Sequence, residues 1–127
     1  MPLTSSGAAF ASRAIVGVAT PVFDEANSHI GVGNGTGAFD ATQTDLAGTS
    51  FVRKGMEAGY PKTMGDSIIA FRATFEANEA NFPWEEWGVF NAAEQGVMLN
   101  REVEYNGTKL EGQLWILQVE LDVQVGS

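Results

Sequence analysis

The densest run of reactive side chains is Ala80 to Ala92, ANFPWEEWGVFNA, where two tryptophans and two phenylalanines surround Glu85 and Glu86. Two carboxyls set about 5–10 Å apart are the equipment of a glycosidase. Asp24/Glu25, Asp40/Asp45 and Glu76/Glu79 offer further pairs. Neighbours in a strand point to opposite faces, so Glu85 and Glu86 are poorly placed to act together. In a chain with 16 acidic residues some lie close by chance, and no pair singles itself out. Asp40 and Asp45 with nearby carbonyls have calcium-type donors, but their spacing matches no EF-hand loop. His29 is the only histidine and would have to serve any nucleophile–base–acid triad; no nucleophile motif accompanies it, so it reads as structural. GVGNGTG, Gly31 to Gly37, lacks the third glycine of a dinucleotide loop and the lysine of a phosphate loop. Its glycines are expected to serve turns that need positive φ. No catalytic residue, metal ligand or cofactor is assigned, and the chain is not expected to be an enzyme.

The totals narrow the classes of partner. A chain of 127 residues is expected to form one domain. The formal net charge of -9 disfavours nucleic-acid phosphates and anionic membranes, which both attract basic surfaces. It suits solubility or a basic protein partner. Without cysteine there are no disulfides or thiolate metal sites, and folding needs no oxidising compartment. The N-terminal stretch has no signal-peptide pattern, and no apolar run approaches the ~20 residues that span a bilayer.

The elements that would carry these residues follow from periodicity. Residues 1–6 are small and polar and are expected to form a loose arm. From Gly7 to about Val18, Phe10, Ala14 and Val18 recur at helical spacing, and Pro21 closes the segment. SHIGVGNG reads as a strand running into a turn. The glycine-rich segment after it offers Asp40 or Thr42 as the cap of one helical turn reaching Leu46. SFVRKGME is a strand, YPKTMGD a loop, and SIIAFRATFE a strand with Ile69, Phe71, Ala73 and Phe75 on one face. EWGVFNA and GVMLNREVE form a hairpin through AEQG, and Asn106-Gly107 makes a turn. From Trp115 to Val125 the odd positions are apolar and the even ones polar from Gln118 onward, which places six side chains inside. Strands linked by short turns, with one short N-terminal helix, predict a mainly β protein: an antiparallel β-sandwich or barrel. Pro83 should turn the chain and throw Trp84 aside, filling a sheet corner or facing a partner or a sugar. Trp87 is expected in the core.

Three stretches, SHIGVGNGTGAFDATQTDLAG, RKGM and FRATFEANEANFPWEEWGVFNAAEQGVMLNREVEYNGTK, resemble a group of tailed-bacteriophage structural proteins. EWGVFNA and GVMLNR are the most specific pieces, and the resemblance runs from about Ala8 to Val125. It implies a virion role: a capsid decoration (cement) protein that clamps neighbouring major capsid subunits, or alternatively a tail or tail-fibre component. A small carbohydrate-binding module is a further alternative. The cement role implies the capsid exterior as the location after synthesis in the host cytoplasm. It also implies the major capsid protein and sister copies, most simply a trimer, as partners. The residues expected at that interface are Pro2, Leu3, Phe10, Trp84, Glu85 and Phe90, with the arm ordering on the shell.

Overall fold

A computed structural model describes residues 3–123. It contains one helix, α1 (Ser5–Ile15), and seven strands: β1 (His29–Gly33), β2 (Phe51–Gly55), β3 (Lys62–Met64), β4 (Ile68–Phe75), β5 (Glu86–Phe90), β6 (Met98–Val103) and β7 (Trp115–Asp122). They build two antiparallel sheets, ordered β2-β1-β5-β6 and β3-β4-β7. Ile30, Val32, Val89 and Leu99 of the first sheet share one core cluster with Phe71, Ala73, Phe75 and Val119 of the second. The sheets therefore face each other as a sandwich, and no barrel closes. Among the described residues no helix is long and apolar enough to cross a membrane.

The helix starts earlier than its apolar spacing indicates. Thr4 is its N-cap: the Thr4 hydroxyl accepts from the Gly7 N–H and donates to the Met98 carbonyl. The Thr4 N–H donates to the Leu99 carbonyl and the Ser5 N–H to that of Ala41. Leu3 bridges to Asn100. The arm expected to be loose through residue 6 is thus held from Leu3 onward; Met1 and Pro2 lie outside the described residues. Gly17, with φ +78°, ends the helix before Pro21 is reached. Its N–H donates to the Ala14 carbonyl while Val18 N–H donates to that of Arg13, the paired bonds of a Schellman motif.

Two other expectations are corrected. Lys62–Met64, read as loop, pairs with Ala70–Ile68 as an edge strand whose side chains are all exposed, so no alternation marks it. In β7 only Val119 is buried; Trp115, Leu117 and Leu121 are half-covered and Val123 is 58% exposed. The opposing sheet shields the middle of β7 and leaves its Leu121 end to other cover. Val125, the last apolar position of the run, lies outside the described residues.

In the first sheet β1, β5 and the first part of β6 are buried on both faces, while the edge strand β2 is not. The sheet's outer face carries Gly31, Gly33, Glu86, Gly88, Phe90 and Arg101, covered by residues 34–50. Leu46 from that cover packs with Phe90 and Met98 in a second apolar cluster. Residues 34–50 hold no helical turn. The Asp40 carboxylate accepts from the Thr42 N–H and hydroxyl, which bends the chain locally. The Ala47 and Gly48 N–H groups donate to Glu86 instead of to a carbonyl four residues back.

Candidate functional site: an open apolar groove

The acidic pair of the aromatic run splits as strand geometry requires. Glu85 is half-buried, while Glu86 is completely buried. One Glu86 oxygen accepts from Gly35 N–H at 2.9 Å and Gly48 N–H at 2.7 Å. The other accepts from Ala47 N–H at 2.9 Å and from Arg101 Nε at 2.7 Å. Arg101, also fully buried, donates through Nη1 to Gln43 Oε1 at 3.1 Å. A carboxylate with four donors, one of them an arginine, is a structural clamp with its acceptor capacity used.

Gly33 and Gly35 of GVGNGTG belong to this clamp. None of Gly31, Gly33, Gly35 and Gly37 has positive φ, contrary to the turn expectation. A Cβ on Gly33 would stand 2.6 Å from the Glu86 carboxylate, and one on Gly31 would stand 2.6 Å from the Phe90 ring. Glycine is required here because carboxylate and ring lie against the backbone.

Trp84 is 2% exposed, lies edge-on to Phe75 and Trp115, and donates from Nε1 to the Ala80 carbonyl. It fills the sheet corner and has no face for a sugar or a partner. Phe90 is fully buried on the outer face of the first sheet, with the Arg53 guanidinium 3.5 Å from its ring centre. Trp84 and Phe90 are therefore withdrawn as interface residues: both are consumed by the fold. Pro2 lies outside the described residues. Trp87 is half-buried and packs on the central core. The His29 ring contacts the Asn27 carbonyl at 2.9 Å through Nδ1. Among the described residues no three His, Cys, Asp or Glu side chains gather as a metal site.

Leu3 and Phe10 are brought together, at the other end of the molecule. There α1 and the Val22–Phe23 segment lie over the ends of β4 and β7, leaving a groove of about 500 Å³. Phe10 is 5% exposed and meets Phe23 edge-on at 4.9 Å, and Phe23 in turn approaches Phe71. Phe10 is thus floor, not an exposed contact, while Leu3 stands at the lip with 38% of its surface exposed. Val22, Leu121 and Val123 complete the opening, and among the described residues Asp122 is the sole charged one of the lining. Ile15, Val16 and Val18, beyond the helix end, are 86, 71 and 64% exposed.

Sequence reasoning assigned Leu121 and Val123 to the core and passed over Val22 and Phe23. The signal was present as an apolar alternation that runs on in the sequence past the end of β7 to Val123 and Val125. Comparison with known proteins finds no matching family model, no matching curated protein and no matching solved structure.

Proposed function

We propose that this protein is a structural component of a tailed-phage particle, a capsid decoration protein that binds the major capsid shell and stabilises it. The observation that carries the reading is the open apolar groove on a domain whose buried Glu86 and Arg101 are paired with each other within the fold. Apolar surface that the described residues leave uncovered is the usual mark of a protein–protein contact. The sequence resemblance supplies the shell as the partner.

The size of the molecule suits that work. Its accessible surface is 6808 Å², so contacts of about 800 Å² with the shell and with each of two sister copies in a trimer would occupy roughly a third of it. Many modest contacts repeated over a particle then add up to a large stabilisation. The decisive measurement adds the purified protein to emptied, expanded capsids and follows rupture temperature and copy number. Binding at many copies with a raised rupture temperature is expected. Unchanged rupture, or a few copies per particle as for a tail part, would sink the reading.

A further inference from the structure

We infer that the groove beside α1 is the docking cleft for an apolar segment flanked by lysine or arginine on another coat protein. The identity of that protein as a coat component rests on the reading above; the chemistry of the segment does not. The cleft volume of about 500 Å³ lies within the roughly 300–1,000 Å³ of sites that enclose a ligand. Its floor is phenylalanine and aliphatic side chain, so it selects leucine- or phenylalanine-sized groups. Polar insertions would strand unpaired groups against it.

Charge selects what flanks them. Asp122 lies in the lining, its carboxylate held by the Ser67 hydroxyl at 2.9 Å. Exposed Asp24 and Glu25 follow Phe23 directly in the chain. Arg13 is the one cation on α1. A second copy would bring the same acidic margin, and another formal charge of -9, against this one. A basic-flanked segment meets the margin with opposite charge, which speeds encounter and fixes orientation.

Ala14 is an exposed helical residue of the lining, so Ala14→Lys sets a positive charge at the cleft, against the basic flanks, without disturbing the core. The test titrates the isotope-labelled full chain with two synthetic peptides that share the centre Ala-Leu-Phe-Ala-Leu. One carries three lysines on each side and the other three glutamates. The lysine-flanked peptide should shift amide signals of α1 and of Leu121 to Val123. It should bind at least tenfold tighter than its acidic twin, weaken in 0.5 M salt, and weaken at least tenfold in Ala14→Lys. Equal binding of both peptides, or binding untouched by Ala14→Lys, overturns the proposal. So does self-association that shifts the same amides as the protein is concentrated, which assigns the cleft to a second copy. Peptide binding that appears only after removal of residues 124–127 overturns it too, by giving the cleft to the chain's own end. On capsids the two ideas separate. If Ala14→Lys still stabilises the shell, the cleft fails and the decoration role stands. If the wild type binds the basic peptide but never the shell, the cleft stands and the role fails.

Discussion

At the scale of single residues the fold turns on Glu86. Its carboxylate joins three backbone N–H groups of residues 34–50 to Arg101 on the neighbouring strand. Glu86→Ala leaves a buried guanidinium without its counter-charge and three N–H groups without acceptors. That should cost about 3–5 kcal/mol, the usual penalty for breaking a buried pair from one side. Urea denaturation reads it as a lower midpoint at unchanged slope. The double variant Glu86→Ala, Arg101→Ala should be less damaged than the sum of the single changes, because the orphaned charge is gone. The glycines make a matched pair of tests. Gly33→Ala drives a methyl to 2.6 Å from the Glu86 carboxylate and should cost about 1–3 kcal/mol. Gly37→Ala meets no atom within 4 Å and needs no positive φ, so its melting temperature should hold or rise slightly.

At the scale of elements, β7 tests how burial is distributed along a strand. Val119 sits opposite Phe71 in the core, whereas Glu120 faces out. Val119→Asp buries an unpaired carboxyl and should leave the chain without a cooperative thermal transition. Glu120→Ala should shift that transition hardly at all, within the ~0.5 kcal/mol typical of surface changes. This contrast was legible in the sequence, because a period of two in β4 and β7 states which face is dry. The β5–β6 hairpin was legible for a similar reason, with Gln95 and Gly96 supplying positive φ at the turn. β3 was not, since its three exposed side chains reflect pairing with β4 and no pattern of their own. Residues 34–50 were misread because their partners lie far away in the chain: Gly35 and Gly48 bond to a residue 51 and 38 positions away. Local propensity offered a capped helical turn, and long-range hydrogen bonds overruled it. The groove fell between the two cases. Leu3 and Phe10 were named, but which apolar positions stay uncovered depends on how far each sheet extends over the other.

For the whole molecule, acidity sets the range over which the fold is secure. Lys54 Nζ stands 2.8 Å from the Glu79 carboxylate, and that bond, then the Glu76 N–H, holds Glu79 below the ordinary carboxylate range. A depressed folded-state value means the pair contributes fully above the unfolded glutamate pKa of about 4.3. The contribution is lost as pH falls through the lower folded value. The wild type should therefore exceed Glu79→Gln in urea midpoint at pH 7, with the gap closing on acidification below about pH 4. A gap that stays constant with pH would remove the pair from the account. The tether from Glu86 has one more consequence, for motion. Residues 34–50 have no regular strand or helix, and such stretches ordinarily open on their own in brief excursions. This one ends on a carboxylate rooted in the sheet, so freeing it means freeing the sheet. Deuterium should enter the amides of Gly35, Ala47 and Gly48 as slowly as those of the central strands, and what looks in outline like a loose flap should behave as part of the slowest-exchanging heart of the protein.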